Sequence, residues 1–488
     1  MRAIRYAFLI SAILTLPVVS DAQEKRATQN DVAAWLVGRT LTIDDAVIVA
    51  LRTSRTYSLA ISDLELARGR TDESRVGLKP QAGLSGAFSY LDREFDASFG
   101  GTSIPIDNQS NAIYQAMISL PIDISGAARA AVSQSQFNEV AARIDVNRIR
   151  NQVIYEIRYD FFQGLRAQGH LAVAQDSLKN RQQQLSDTEK NLAAGLASNF
   201  DVITAKRDVA DAQQSVVDAQ AQITLSLSTL KYAMGVDVST PLSISEKGAV
   251  IDSNDAAPVV ASNDQLGFGP SYQSILQEAL GSRPEILEAD ALISAAKRGI
   301  VYAQKSELPD VSIYTSYMLD PNATALAPGR QGAVGMMVNI PIFDGGRASA
   351  LRRQATANLE KAGTNRRGAV DLVTLEVQHA LVNLAQAKTK MSVAAVGLTQ
   401  AKEAYRMARV RFNNGVAQTG VSPQLELTSA QTSLALAEEN DLNSRYDYSL
   451  AQSQLDRATG RYSYGVGPGY TAKPDRKVTG KAPEKGNK

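Results

Sequence analysis

Large apolar residues recur every seven positions along four segments of the chain. In the first half the two ladders are Ile157, Leu171, Leu178, Leu185 and Leu192, and then Val202, Val209, Val216, Ile223 and Leu230. In the second half they are Met391, Leu398, Tyr405 and Phe412, and then Leu427, Leu434, Tyr448 and Leu455. Gly164 fills a missing position of the first ladder, and Asp441 interrupts the last. A strict seven-residue period predicts helices that supercoil around each other, here as two antiparallel hairpins.

These ladders predict helices at about 126–195 and 198–235, and again at about 346–413 and 423–459. The first contains no proline over some 70 residues, which corresponds to about 105 Å of helix. A globular core does not need a helix of that length. We therefore expect an elongated coiled-coil wall.

Ahead of each hairpin the apolar period changes to two. Alternating segments at about 80–99 and 111–124, and at about 309–319 and 333–343, predict two pairs of strands. Gly100–Pro105 reads as the loop of the first pair. The strands have about the 9–11 residues of a tilted transmembrane strand, although a soluble hairpin packed on a helix would show a similar pattern.

The chain is a duplication. Asn191–Gly195 matches Arg411–Gly415 at an offset of 220, and Leu230–Gly235 matches Leu455–Gly460 at 225. The repeats are predicted at 23–235, including an initial helix, and at 271–460. A linker at 236–270 joins them, and a tail at 461–488, expected to be disordered, follows. The fold class is thus mainly α with β.

Composition excludes several chemistries. The chain has no cysteine, two histidines and one tryptophan, so thiolate catalysis, disulfides and cysteine-based metal sites are ruled out. Lys+Arg number 51 against 50 Asp+Glu, which argues against nucleic-acid binding. We expect no cofactor and no enzymatic activity, since no catalytic constellation recurs outside the helical ladders.

The N-terminus predicts export. Arg2 and Arg5 precede a short apolar run, and Ser20-Asp21-Ala22 offers small residues for cleavage, so residues 1–22 read as a signal peptide. Without cysteine there is no thiol to lipidate. No other stretch has about 18 consecutive apolar residues, so any membrane crossing must use strands. Four strands cannot close a barrel that needs about eight, whereas three copies supply twelve, which favours a trimer.

With these features the sequence resembles the TolC family of outer-membrane efflux proteins over nearly the whole mature chain. The resemblance rests on the duplicated layout, the strand-to-helix corners at Pro121 and Pro341, the turn from Gly195 to Val202, and the closing helix from Arg445 to Gly460. It implies a homotrimeric channel in the outer membrane, in which a 12-stranded transmembrane β-barrel continues as a periplasmic α-helical barrel. It also implies a periplasmic adaptor and an inner-membrane RND or ABC transporter as partners, and a gate at the helical tip.

Two carboxylates are candidate gate residues. The 225 offset pairs Asp201 with Glu426, and three copies would place six carboxylates around a narrow mouth, which favours cations. The alternative is that each simply occupies a helix N-terminus, where acidic side chains are common. The family's tyrosine and arginine gate pair is not matched by Phe412 and Ala417, and Arg409 or Arg411 could replace its cation.

The resemblance further implies that the adaptor contacts the helix–helix turns. These turns are Gly195-Leu196-Ala197 and Gly415-Val416-Ala417. A soluble periplasmic coiled-coil scaffold or adaptor without a pore is the alternative function. It predicts one helical hairpin rather than two matched strand pairs.

Overall fold

The computed structural model describes residues 32, 34–92, 95–99, 102–107, 110–195, 197–246, 270–321, 329–414 and 423–462. The predicted signal peptide, residues 247–269 of the linker and residues 463–488 of the tail lie outside this described part. The first half contains β1 (Thr40–Leu41), α1 (Ile43–Thr53), α2 (Arg55–Val76), β2 (Gln81–Tyr90), β3 (Phe95–Phe99), β4 (Thr102–Asp107), β5 (Ser110–Ile122), α3 (Ala127–Ala193), α4 (Asn199–Met234) and β6 (Ser243–Ile244). The second half contains α5 (Pro270–Ser282), α6 (Pro284–Lys305), β7 (Asp310–Leu319), β8 (Arg330–Asn339), α7 (Arg347–Asn413) and α8 (Pro423–Thr459).

Equivalent elements of the two halves have nearly equal lengths. The long helices α3 and α7 each have 67 residues, and the returning helices α4 and α8 have 36 and 37. At 1.5 Å per residue the long helices extend about 100 Å. The shorter helices α2 and α6 each have 22 residues.

The main sheet has four antiparallel strands in the order β2-β5-β7-β8. The central pair joins the two halves, since Tyr114 on β5 lies opposite Leu319 on β7 and Ile122 lies opposite Val311. Strands β2 and β8 form the edges, and each pairs on one side only within the described part of the chain. The sheet alone therefore leaves two open edges.

The prediction of one strand over 80–99 followed by a loop at Gly100–Pro105 is wrong. Strand β2 ends at Tyr90, and β3 and β4 form a separate two-stranded hairpin. Pro105 lies within β4, opposite Asp96. A proline that cannot donate a hydrogen bond is compatible with an edge strand, which both strands of an isolated hairpin are.

The long helices begin at similar corners. Gly126 and Gly346 precede α3 and α7 with φ of 73° and 88°, a left-handed conformation that glycine adopts easily. Before α3, the Asp123 carboxylate accepts hydrogen bonds from the backbone N–H groups of Ala128 and Arg129, each at 3.1 Å. An aspartate one position later in the second repeat, Asp344, caps α7 by accepting hydrogen bonds from the backbone N–H groups of Gly346 at 2.9 Å and Ala348 at 2.7 Å.

The helices form a wall in which α3 packs against α4 on one side and α8 on the other, and α8 packs in turn against α7. The largest apolar core lies partway along α3, where α1 and the end of α4 meet it around Ile154, Ile157, Phe161, Leu230 and Met234. A smaller core repeats this arrangement around Val373 and Val377 of α7. Among the described residues, none of the helices is both long and apolar enough to cross a bilayer.

Candidate functional site

The four-stranded sheet has two chemically different faces. The strand registers place a continuous set of apolar side chains on one face: Leu84, Phe88, Tyr114, Ile118, Leu120, Ile313, Tyr317, Val334, Met336 and Val338. The opposite face carries mainly small and polar side chains, with some larger ones: Gln81, Ser85, Ser89, Gln115, Met117, Ser119, Ser312, Tyr314, Ser316, Met318, Gln331 and Met337.

The apolar face is not covered by the rest of the chain. Leu84, Phe88 and Val334 are 78%, 74% and 82% exposed. A strand of 10 residues with one apolar and one polar face matches a tilted strand with lipid on one side and water on the other. The length and the two-sided pattern of the strands are therefore those expected of transmembrane strands.

The outer helices of the wall also expose apolar side chains. On α7 the exposed residues Leu375, Val382, Val396 and Val410 lie at multiples of seven residues, and on α4 Ile203 and Val217 do the same. The period matches that of the buried ladders. Each edge helix therefore presents a coiled-coil face that the single chain leaves unpaired.

A polar seam joins the two hairpins. Between α3 and α8 the described contacts are antiparallel and of two kinds. Near the main apolar core they include apolar packing, in which the Phe162 and Tyr446 rings lie 6.5 Å apart and Leu442 lies against Gly169, beside the ion pairs Arg158–Asp456 at 3.6 Å and Arg166–Asp447. From His170 to the helix–helix turns the contacts are polar, and this stretch is the polar seam: His170–Asn443 at 3.2 Å, Arg181–Thr432 at 2.9 Å, Gln184–Thr428 at 3.0 Å and Thr188–Gln424 at 3.3 Å. Ladder residues pack inside each hairpin instead, as Tyr448 and Leu427 do against α7.

Some polar groups of this seam are buried without a partner. Gln184 is 3% exposed, yet its Oε1 accepts no hydrogen bond from any described residue, and the Nε2 of Gln424 donates none. A buried polar atom without a partner costs about 1–3 kcal/mol. The α3–α8 seam is therefore held less strongly than the apolar interior of either hairpin.

The structure places Asp201 in a capping box at the start of α4. Its carboxylate accepts hydrogen bonds from the backbone N–H and the hydroxyl of Ser198, at 2.8 and 2.7 Å, and its own N–H donates to the Ser198 hydroxyl at 3.2 Å. These contacts are those expected of an acidic residue in the first turn of a helix.

Glu426 in the first turn of α8 forms an ion pair with Arg411 at the end of α7. The glutamate side chain is 19% exposed and the arginine 42%. Arg409 is exposed and forms no salt bridge within the described part of the chain. Two of the four predicted gate residues are thus brought together across the second turn, and the pair carries no net charge.

The predicted adaptor contacts are described in part. Gly195 is exposed in a left-handed conformation with φ of 75°, and Ala197 is half-buried beside it. Leu196, Gly415, Val416 and Ala417 lie outside the described residues. The described residues contain no cluster of His, Cys, Asp or Glu that could hold a metal ion.

Sequence reasoning missed the polar seam. The pairing of α3 with α8 joins residues 236 to 298 positions apart, which a period along one helix cannot reveal. A signal was present nonetheless, because Gln424, Thr428 and Thr432 repeat every four residues and place polar side chains on one side of α8.

One carboxyl group far from the helix–helix turns has a shifted pKa. Burial, and then repulsion by Glu156, raises the pKa of Asp160 on α3 to about 6. This aspartate therefore gains a proton more readily than an exposed one.

A two-faced, open-edged sheet continued by helices of about 100 Å is the architecture expected of an outer-membrane channel subunit. The chain belongs to the outer membrane efflux protein family, which matches it twice, over residues 50–236 and 275–461. The two matches confirm the duplication and the resemblance to the TolC family.

Individual relatives and solved structures support the same family assignment. The outer membrane protein TolC of Vibrio cholerae is 22% identical over 401 residues, covering 80% of this chain and 84% of the relative. OprJ of Pseudomonas aeruginosa is 23% identical over 427 residues, covering 85% and 83%. The structure of the outer membrane protein VceC of Vibrio cholerae aligns with a TM-score of 0.68 at 20% identity, covering 86% of this chain and 96% of VceC.

The chain is accordingly an outer-membrane efflux protein, and its family is one of transport rather than catalysis. The alternative of a pore-free scaffold is not supported. It predicted a single helical hairpin, whereas the chain has two hairpins and two strand pairs joined in one sheet.

Proposed function

We propose that three copies of this chain form the exit duct of a tripartite efflux or type I secretion system. The observation that carries the proposal is the four-stranded sheet, which exposes an apolar face and leaves β2 and β8 without outer partners. Backbone groups at such edges cannot remain unpaired in lipid. Pairing β8 of one copy with β2 of the next closes a ring, and three copies give twelve strands.

The helices support the same assembly. The exposed seven-residue faces of α4 and α7 lie at opposite ends of the wall, so α7 of one copy can pack on α4 of the next. The duplication also indicates which residues would meet between neighbouring copies. Moving the in-chain pair Gln184–Thr428 by the repeat offsets gives Ala404 and Ile203, both exposed.

The chain lacks cysteine, so engineered pairs are unique. We expect Ile203→Cys with Ala404→Cys to form disulfides between copies and to yield covalent dimers and trimers on denaturing gels. The control pair Gln184→Cys with Thr428→Cys should close within one chain. A monomer in the soluble periplasm, or cross-linking of the first pair only within a chain, would contradict the trimer. Conductance in planar bilayers tests the duct itself.

We infer that the duct opens along the polar seam. Each hairpin keeps its apolar ladder while the ends of α7 and α8 nearest the helix–helix turns move away from α3, because the polar contacts there can be exchanged for water at small net cost. The Gln184→Cys/Thr428→Cys disulfide should therefore hold the tip closed, and reduction should restore conductance. Equal conductance in the oxidised and reduced forms would contradict this gate.

We keep the ring of carboxylates in the proposal, but we expect Asp201 and Glu426 to contribute unequally to it. Glu426 shares its charge with Arg411, so we expect Asp201 to carry most of any cation preference. Replacing Asp201→Asn and Glu426→Gln should lower the cation preference in planar bilayers. An unchanged preference would remove the ring and leave Asp201 as a helix cap.

The remaining partners follow from this role. We propose that Gly195–Ala197 and Gly415–Ala417 at the tips receive the periplasmic adaptor, which links the duct to an inner-membrane RND or ABC transporter. Relatives of this family are named for export of pyoverdine, an antibiotic and toluene, and we propose that the pump rather than the duct selects the cargo. Alanine-to-aspartate changes at Ala197 and Ala417 should reduce efflux while leaving conductance unchanged.

A further inference from the structure

The polar seam contains a histidine at its end nearest the apolar core. His170, one of the two histidines of the chain, follows Gly169, against which Leu442 of α8 lies. The Nε2 of His170 lies 3.2 Å from the Oδ1 of Asn443, and its Nδ1 lies 3.8 Å from the Oε1 of Glu439. These side chains belong to α3 and α8 of the same chain, so their contacts do not depend on which surfaces a neighbouring copy covers.

Both atoms that face the imidazole ring are hydrogen-bond acceptors. The Asn443 Oδ1 is an amide oxygen and the Glu439 Oε1 belongs to a carboxylate. A neutral ring carries one N–H, so when it donates to one of these atoms it turns a lone pair toward the other. The protonated ring donates from both nitrogens and adds an ion pair with Glu439, which forms no other salt bridge with the described residues. The two acceptors therefore suit the imidazolium form of His170.

The other charged groups near the histidine have partners of their own. On the side of the apolar core, Arg166 of α3 forms an ion pair with Asp447 of α8. Arg445 of α8 forms a salt bridge with Asp441 at 2.9 Å. The acidic residue of α4 nearest this level is Asp218, which is exposed and accepts a hydrogen bond within its own helix at 2.8 Å. None of these groups replaces the histidine as the partner of the α8 carboxylate.

Two carboxylates one to two turns nearer the helix–helix turns oppose closure of the seam. Burial raises the pKa of Glu438 on α8, the positive charge of Lys402 on α7 lowers it, and the negative charge of Asp176 on α3 raises it, with a net rise. Asp176 and Glu438 therefore repel each other across the seam, and protonation of Glu438 removes that repulsion. Acid thus favours the closed seam at this level as well.

We propose that His170 makes the duct sensitive to pH, because its protonation joins α3 to α8 through Asn443 and Glu439 and keeps the polar seam closed. The proposal rests on the proposed function and on the seam as its gate. At the offset of 220 the second repeat has Lys390, so each copy carries one such histidine. The duct then opens less readily in mild acid than at neutral pH.

His170 lies far enough from the fixed end of the seam for its contacts to break on opening. Phe162, whose ring packs near Tyr446, precedes His170 by eight residues, or about 12 Å along α3, whereas Thr188 near the tip lies about 39 Å from Phe162. If α8 turns away from α3 about that end, a displacement of about 6 Å at Thr188 corresponds to about 2 Å at His170. A hydrogen bond of 3.2 Å does not survive such a shift. Opening therefore requires the bridge at His170 to break.

The test records the open probability of the purified protein in planar bilayers at about pH 7.5 and about pH 5.5, on either side of the range in which an ordinary histidine titrates. A partly exposed ion pair changes an equilibrium about twofold, so three copies that open together should lower the open probability about eightfold in acid. His170→Gln keeps an amide donor for Asn443 but carries no charge, and it should remove most of this change. Glu439→Gln removes the other charge of the pair and should reduce the change in the same way.

His379→Gln is the matched control, because His379 is the other histidine of the chain and lies exposed on α7. This variant should keep the full pH response. Three results overturn the proposal: an equal response in His170→Gln and the native protein, a response that His379→Gln also loses, or an open probability that rises in acid. Circular dichroism at both pH values verifies that each variant is folded.

The disulfide variant Gln184→Cys/Thr428→Cys separates this proposal from the one on which it rests. If oxidation abolishes conductance and His170→Gln retains the native pH response, only the role of His170 is wrong. If oxidation leaves conductance unchanged, the seam is not the gate and both proposals fail. A protein that conducts in none of its forms overturns the duct itself.

Discussion

Replacing Gly235→Ala should destabilise the protein much more than replacing Gly195→Ala. Both glycines follow a helix of the first hairpin with φ of 74° and 75°. Around Gly195 nothing lies within 4 Å of an added Cβ, whereas at Gly235 the carbonyl oxygen of Thr53 would lie at 2.2 Å. The two substitutions therefore share a backbone strain and differ in one contact.

The magnitudes follow from these distances. Alanine in the left-handed conformation costs about 1–2 kcal/mol, which we expect for Gly195→Ala. At Gly235 the oxygen must also move from 2.2 Å to the 3.4 Å of an ordinary contact, a shift of about 1.2 Å in the buried corner between α1 and α2. Overpacking of this kind adds about 1–3 kcal/mol.

Thermal unfolding followed by circular dichroism provides the measurement. Gly460→Ala is the matched control, because Gly460 is the equivalent residue of the second repeat with φ of 72°, and its nearest obstacle is the rotatable Ser282 hydroxyl at 3.0 Å. We expect the order Gly235, Gly460, Gly195 from most to least damaging. Equal midpoints for the Gly235 and Gly195 variants would refute the reasoning.

Three further predictions use the same unfolding assay. Thr53→Val should cost about 1–2 kcal/mol, because the threonine hydroxyl donates to the Met234 carbonyl at 2.6 Å and the variant leaves that buried group unpaired; no loss would contradict the bond. Asp123→Ala should lower the free energy of unfolding by about 1 kcal/mol through loss of the cap on α3. Asp123→Asn should lower it less, because the amide oxygen can still accept one of these hydrogen bonds. For Asp160, burial and Glu156 raise the folded-state pKa to about 6 from 3.8, so native stability should fall as pH rises between these values. Asp160→Asn should remove that slope, and an unchanged pH profile would show that another group causes it.

Local patterns were sufficient for the elongated parts of the fold. The seven-residue ladders predicted helices at about 126–195 and 346–413, and the structure has them at Ala127–Ala193 and Arg347–Asn413. A single period maintained over so many turns leaves no alternative structure. The hairpin of β3 and β4 was missed because Gly100, Gly101 and Pro105 are loop signals, and an isolated hairpin with two edge strands tolerates them.

The candidate site was predictable only where it is local. The capping box of Ser198 and Asp201 lies within four residues and could be anticipated as one of two interpretations. The pairing of Glu426 with Arg411 depends on how the chain turns between α7 and α8, and the sequence left Arg411 as an unpaired candidate. Arg166–Asp447 depends on tertiary packing, which no single-helix pattern encodes.

The distribution of apolar and polar contacts indicates which parts of the wall stay together when it moves. Within the second hairpin, Leu427 and Tyr448 are buried on the ladder, and Asp441 occupies the position between them at 6% exposure, paired with Arg445. Opening that ladder would expose apolar surface and is unfavourable. Opening the α3–α8 seam instead exposes side chains such as Gln184 that already lack part of their hydrogen bonding and gain it from water. We therefore infer that the polar seam opens first while both hairpins stay intact, with the apolar contact of Phe162 and Tyr446 as the fixed end of the movement.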